Sequence, residues 1–332
     1  MKINKKKEKI DIVILWVDGN DPEWLKQKNK YLGIKGDTNI NRFRDCENLQ
    51  YLFRGIEKYA AWVNKIFFIT WGHIPKWLNT NNEKLEIVRH AEFIPNEYLP
   101  TFNSNVIEMN LHRIKKLSSK FILFNDDLFI LKELKSTDFF EKDLPKDFYI
   151  EYLKKNCSKR HMIMKNNYLK IINNYFDKYK FIKQNFFKVF NAKYGINNLK
   201  TLSMLKYNSF EDFYSQHLTQ AFFKETFQEV WEKEPIKIDI ACHNRFRADS
   251  DIGTPICRYW QLLSGKFMPT KKIGKYFEIS KDNKKLISSI KKKKYKIICV
   301  NDANMDIDFE KSISEINAAF EYIFKEKCSF EI

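Results

Sequence analysis

The 332-residue sequence predicts an α/β fold, a mostly parallel sheet flanked by helices, and three observations carry that prediction. Short β-branched or aromatic apolar runs recur along the chain, each stopped by polar turn residues. Between them lie stretches whose apolar residues repeat at helical spacing. Strands that alternate with helices in this way build parallel sheets, and ligands of such sheets collect at the carboxyl ends of the strands.

Ile10 to Val17 is the first run, halted by Asp18-Gly19-Asn20-Asp21-Pro22. Gly19 permits positive φ and Pro22 suits the first turn of a helix. With two acids and an amide, this loop can hold a base, a ribose or a metal, or simply join strand to helix. Arg42-Phe43-Arg44-Asp45 then precede a helix read from Leu49, Leu52, Phe53, Ile56 and Tyr59. An arginine near a helix start is a phosphate position, because backbone N–H groups reinforce the guanidinium; Arg44 equally suits a surface ion pair with Asp45. Lys65 to Thr70 gives a second strand and Leu85 to Val88 a third.

Asn105, Glu108 and His112, at spacings of three and four, share one polar helix face. Phe121 to Phe124 is a buried strand that ends in Asn125-Asp126-Asp127. Adjacent carboxylates repel and are tolerable where a cation, a basic side chain or water compensates them. The same residues also suit a helix N-cap or an Asx-turn. From about Leu134 to Asn208 the chain is rich in Lys, Asn, Tyr and Phe and reads as a mainly helical insert, which divides the chain into 1–133, 134–210 and 211–332. Beyond it His217 leads an aromatic helix through Phe222-Phe223 and Phe227 to Trp231, Arg245-Phe246-Arg247 follow, and Tyr295 to Asp302 repeats the strand-then-Asn-Asp pattern.

Hydrophobic content of 44% with 30% charged residues belongs to a folded globular chain rather than a disordered one. The net charge of +17 points to polyanionic partners, and Lys5 to Lys7 and Lys291 to Lys294 hold part of it, either as solvated lysines or as sites of peripheral attachment to an anionic membrane face. No zinc-finger spacing or RNA-binding signature accompanies the charge, which argues against nucleic acid. Cys46, Cys157, Cys242, Cys257, Cys299 and Cys328 are scattered without a CxxC pair, as in a reducing cytoplasm. No stretch reaches the roughly 18 apolar residues of a membrane span, and Met1 to Lys9 does not lead into a signal peptide.

Trp16 to Pro22, Arg42-Phe43-Arg44-Asp45, Leu99 to Asn105 with His112-Arg113-Ile114, and Phe124 to Asp127 together resemble the first two conserved regions of the Stealth family. His217, Arg245-Phe246-Arg247 with Asp249, and Tyr295 to Asp302 resemble its third and fourth. The likeness spans about residues 10 to 132 and 214 to 325. Three positions depart from the family pattern: Leu218-Thr219 stand where a proline is usual, Trp71 where an acid or amide is frequent, and Ala303 where glycine is frequent. The family includes bacterial capsular polysaccharide phosphotransferases. The resemblance therefore implies a Rossmann-like, glycosyltransferase-A-like sheet and transfer of a sugar-1-phosphate from a nucleotide sugar, usually UDP-linked, to a glycan hydroxyl, with release of the nucleoside monophosphate. It implies a donor-binding set of Asp18, Gly19, Asn20, Asp21, Arg44, Asp45, Asn105 and Arg245.

Breaking a pyrophosphate requires charge neutralisation at phosphoryl oxygens, an in-line hydroxyl and removal of its proton. Arg44, Arg245 and Arg247 suit the clamp. His217 is the candidate acid or base and His112 its rival, while His73, His90, His161 and His243 are read as structural. Asp126 and Asp127, with Asp302, would hold Mg²⁺ or Mn²⁺; alternatively one of the two, Asp127 being the catalytic candidate, contacts the acceptor hydroxyl. Two other readings stand beside this one: an ordinary glycosyltransferase that releases UDP, and a non-catalytic polyanion-binding module.

Overall fold

The structure, a computed structural model, describes residues 9–32, 44–153, 158–215, 217–302 and 307–332. Lys5 to Lys7, Arg42, Phe43, Cys157 and Ala303 lie outside the described residues. Among the described residues the main sheet has five strands. In chain order these are β1 (Ile10–Leu15), β2 (Ile66–Thr70), β3 (Leu85–Arg89) and β4 (Lys120–Asn125), joined later by a strand at Gln220–Phe223. Three shorter strands come between: β5 (Leu128–Ile130), β6 (Phe140–Glu141) and β7 (Leu144–Asp147), so Gln220–Phe223 is β8. β9 (Met268–Pro269), β10 (Gly274–Glu278) and β11 (Ile297–Asn301) complete the set.

The main sheet runs β3-β2-β1-β4-β8, parallel throughout except for the antiparallel β8. Strands β1, β2 and β4 are buried on both faces, which is why they read as unbroken apolar runs instead of alternating ones. Asp11 is the exception inside β1. Its fully buried carboxylate accepts from Asn64 Nδ2 at 2.7 Å, from the Lys65 amide at 3.2 Å and from the Ser118 amide at 2.8 Å. That one side chain ties β1 to the entries of β2 and β4 and fixes their register, in which Leu15 lies level with both Ile69 and Asn125.

Two helices follow β1 and its loop. Pro22–Leu32 starts at Asp21, whose Oδ1 accepts from the Trp24 amide at 2.8 Å, and Leu49–Tyr59 buries Leu49, Leu52, Phe53 and Ile56 against the sheet as their spacing predicts. A second sheet, β10-β11-β5, continues from β4 after only Asp126 and Asp127; β11 is antiparallel to β5. Residues 134–153, expected within a helical insert, instead carry β6 and β7, which form a third small sheet with β9. Helices occupy Lys159–Tyr175, Lys178–Gln184, Phe186–Val189 and Asn198–Ser203. Beneath them Lys178, fully buried, donates to Glu151 Oε1 at 2.8 Å and to the carbonyls of Met204 and Ser209. Among the described residues no helix is long and apolar enough to cross a membrane.

Candidate active site

The strand ends meet at a cleft of about 780 Å³. Trp16 and Val17 leave β1 into it, and Asn125, Asp126 and Asp127 leave β4 beside them. Because β8 runs antiparallel to β4, with Gln220 level with Leu123, the residues just before β8 arrive at this same end. His217 is one of them. Because β11 runs antiparallel to β5, with Cys299 level with Leu128, its last residues, Asn301 and Asp302, also arrive here. Helix Ser104–Met109, capped by Asn103, supplies Asn105 and Glu108, and the loop before helix Pro255–Leu263 supplies Arg247 and Thr254.

Asp127 is the hub. Its Oδ2 lies 3.3 Å from His217 Nε2, accepts from Cys299 Sγ at 3.1 Å and from Asn301 Nδ2 at 3.3 Å, while its carbonyl accepts from the Val300 amide at 2.8 Å. Burial pushes this carboxyl up, but the hydrogen bond and charge of His217, with Cys299 and Asn301, outweigh it and hold Asp127 below the usual carboxylate range. In return the hydrogen bond to Asp127 raises His217, against its own burial, and the charges of Asp127 and Glu108 add to the rise. His217 adopts φ +48°, a left-handed backbone that a β-carbon disfavours; the ring is aimed at Asp127 from that turn. Asp126 goes the other way. Burial, then the charges of Asp127 and Asp45, push it up to about 7.

Two carboxylate oxygens here, Asp127 Oδ1 and Asp302 Oδ1, are buried without a hydrogen-bond partner among the described residues. Buried acceptors are normally satisfied, so each oxygen has capacity for a cation or water; among the described residues the ligand atoms that lie within 4.8 Å of one another are those of Asp127, His217 and Cys299, a group that does not include Asp126 or Asp302. The other oxygen of Asp302 accepts from Arg44 Nε at 2.9 Å and Nη2 at 2.6 Å, and the Arg44 guanidinium lies 3.4 Å over the Phe309 ring. Two residues expected in separate roles, a phosphate clamp and a metal ligand, thus hold each other at the cleft wall.

Other expectations change with the geometry. Helix Ser104–Met109 ends before His112, because Asn110 turns its side chain back to the Val106 carbonyl at 2.9 Å and a single 3-10 turn follows. His112 therefore leaves the face of Asn105 and Glu108. Its Nδ1 lies 3.1 Å from the Met109 carbonyl, its ring packs against Trp231, and burial lowers it to about 4. Arg245 and Arg247 are separated by a bend: Arg247 lines the cleft and donates to Ser104 Oγ at 3.1 Å, whereas Arg245 covers the Tyr31 ring. Asp18, Gly19, Asn20 and Asp21 do not line the cleft; Asp18 Oδ1 accepts from the Asn20 amide and Asp21 caps a helix, and Gly19 does not use positive φ. Asp45 does line it, raised by burial, with Asp18 among the neighbouring charges. His217 heads strand β8, not a helix.

Asn105 is brought in, held by its Nδ2 against Asp251 Oδ2 at 3.2 Å, in a cluster where Asn103 and Asn244 reach Asp251 Oδ1. A β-carbon at Gly253 would stand 2.5 Å from Asn105 Oδ1, so any other residue there would displace the Asn105 side chain. Glu108 is the contributor that sequence reasoning left without a role. It accepts from Thr254 Oγ1 at 2.7 Å, faces the charges of Arg247 and His217, and is raised by burial. Its three-residue spacing from Asn105 was the one available signal.

A mostly parallel sheet, with carboxylates, a histidine and an arginine gathered in a cleft at its carboxyl ends, is the arrangement of an α/β enzyme. Residues 42–148 match Stealth protein CR2, conserved region 2, and residues 8–36 match Stealth protein CR1, conserved region 1. The capsular polysaccharide phosphotransferase WcwK of Streptococcus pneumoniae is 43% identical over 98% of this chain and 99% of its own length. The exopolysaccharide phosphotransferase cps2G of Lactiplantibacillus plantarum is 35% identical, covering 97% and 96%, and the receptor polysaccharide phosphotransferase WefC of Streptococcus gordonii 36%, covering 98% and 99%. Among solved structures, a galactosyltransferase LgtC with donor and acceptor sugar analogues covers 93% of this chain and 95% of its own at 9% identity and a TM-score of 0.39. The chain belongs to the Stealth family and is a phosphotransferase.

Proposed function

We propose that the protein transfers a sugar-1-phosphate from a nucleotide sugar, a UDP-hexose or UDP-N-acetylhexosamine, to a hydroxyl of a growing surface or capsular glycan. The bond from the acceptor oxygen to the sugar-bearing phosphorus forms, the bond from that phosphorus to the nucleotide's bridging oxygen breaks, and UMP leaves. The observation that carries this reading is the His217–Asp127 contact beside Arg247 and the two unpartnered carboxylate oxygens. With Nε2–H directed at Asp127, His217 keeps its lone pair on Nδ1, where it takes the acceptor proton. Asp127 holds the ring in that tautomer. Arg247 neutralises phosphoryl oxygens, and Glu108, whose charge acts on both Arg247 and His217, balances the positive charge that develops on the histidine. Asp126, Asp127 and Asp302 would hold Mg²⁺ or Mn²⁺, which when bound supplies compensation for pyrophosphate charge. Cys46, Cys242, Cys257, Cys299 and Cys328 are all free thiols, in keeping with work in the cytoplasm, where nucleotide sugars are at hand.

The test is the nucleotide released. Purified protein with Mg²⁺ or Mn²⁺, a panel of UDP-sugars and a capsular oligosaccharide acceptor is expected to yield UMP in proportion to acceptor. UDP in its place would mean that the sugar C–O bond breaks, and the proposal would fail.

A further inference from the structure

We infer that the protein docks on an anionic membrane surface through the face built by residues 179–206. Phe186, Phe187, Ile196, Leu199 and Leu202 stand out from this face, with Phe187 82% and Ile196 80% exposed. Large apolar side chains so bare are ordinary when single, but here five fall within seventeen consecutive residues of one segment, and apolar side chains so gathered mark interaction sites. The side opposite is conventional core: Phe181, Ile182, Val189, Tyr194 and Met204 are buried. The segment is held as one surface. Asn191 Nδ2 donates to the Phe187 carbonyl at 2.9 Å, Asn198 Nδ2 donates to the Asn191 carbonyl at 2.9 Å and the Gly195 carbonyl at 3.1 Å, and the Phe186 ring rests on Phe187 and Phe190.

Charge chooses the partner. Between Tyr179 and Phe210 the chain has six lysines and no aspartate or glutamate, with Asp177 and Glu211 just outside, although the whole sequence has 42 acids in 332 residues. Lys180, Lys183, Lys193, Lys200 and Lys206 are exposed around the apolar residues. A second copy of the chain, meeting this face with its own, would set lysine against lysine, which disfavours a symmetric dimer here. Nucleic acid would answer the lysines, but three of the five projecting side chains are aliphatic and offer no ring on which a base can stack. Apolar side chains within a cationic ring fit the headgroup boundary of an anionic bilayer, where the first enter the acyl region and the second meet phosphate. The face lies next to the cleft, since Lys200 Nζ is 5.9 Å from the ring of Tyr152, a lining residue.

Sedimentation with vesicles tests this without reference to the reaction. The full chain is expected to bind vesicles with roughly one-third phosphatidylglycerol at least about tenfold more tightly than pure phosphatidylcholine, and to be released by salt. Lys180→Gln with Lys183→Gln should weaken binding by roughly fivefold for each lysine removed. Phe187→Ser with Leu199→Ser, both at exposed positions, should weaken it by at least about tenfold while melting temperature and nucleotide release stay as in the parent. Equal binding to neutral vesicles would overturn the inference. So would parent-like vesicle binding by both variants, which would move the contact to another lysine cluster. A parent dimer that the serine variant converts to monomer, with no vesicle binding, would make this face a protein interface and refute the membrane assignment.

Discussion

His217 and His112 can be separated by one pair of substitutions. His217→Asn keeps a residue that tolerates left-handed backbone, so the φ of +48° is retained while the titrating ring is lost. A positioned general base contributes about 10²–10⁴ in rate, or roughly 3–5 kcal/mol, and kcat for UMP release should fall by that factor with saturating donor and acceptor. The ring is 51% exposed, so its removal opens no core cavity and should cost no more than about 1 kcal/mol in a urea melt. His112→Gln should do the reverse. It disturbs the contact with the Met109 carbonyl and the packing on Trp231, at a cost of about 1 kcal/mol in stability, while kcat stays within about threefold of the parent. If His217→Asn keeps more than about a tenth of kcat, or His112→Gln loses more activity than His217→Asn, the assignment of the base is refuted.

Chelation by EDTA should abolish turnover, with Mg²⁺ or Mn²⁺ restoring it in the parent and not in Asp127→Asn; full activity in EDTA would remove the cation from the reading. Buried His90 is lowered to about 3, chiefly by burial. The unfolded chain takes up this proton first, so the contribution to stability is complete above about pH 6.5 and drains as pH falls toward 3, which amounts to about 2 kcal/mol lost between pH 7 and pH 5. His90→Gln should flatten urea-melt stability over that range by the same amount, and an unchanged slope would contradict it. Lys178→Met strands the Glu151 carboxylate in the interior and should cost about 3–5 kcal/mol by chemical denaturation, with a loss below about 1 kcal/mol counting against a buried ion pair at that place.

The parts of the fold that were legible are those where burial writes itself into sequence. β1, β2 and β4 lie between two layers, and strands covered on both faces are built from nearly continuous apolar runs. The carboxylates after β4 were visible because Asn-Asp-Asp ends such a run. The helix through Asn105 was harder, since periodicity says which residues share a face but not where the helix stops, and Asn110 stops it by bonding back to Val106. Phe222-Phe223 satisfied a helical spacing as well as a strand, so the direction from which His217 arrives could not be read locally. The Arg44–Asp302 pair spans 258 positions, and no local pattern announces a partner at that distance.

The short link between β4 and β5 also bears on when the enzyme becomes competent. Asp127 is placed by Val300, Cys299 and Asn301, all on β11, about 170 residues later in the chain. A polypeptide still being synthesised already carries both carboxylates but none of these partners, and closing so long a loop waits on the last strands. Assembly of the cleft around Asp127 is thereby deferred to the end of translation, and on the function proposed above fragments that lack β11 should show no transfer even where β1 to β4 have formed.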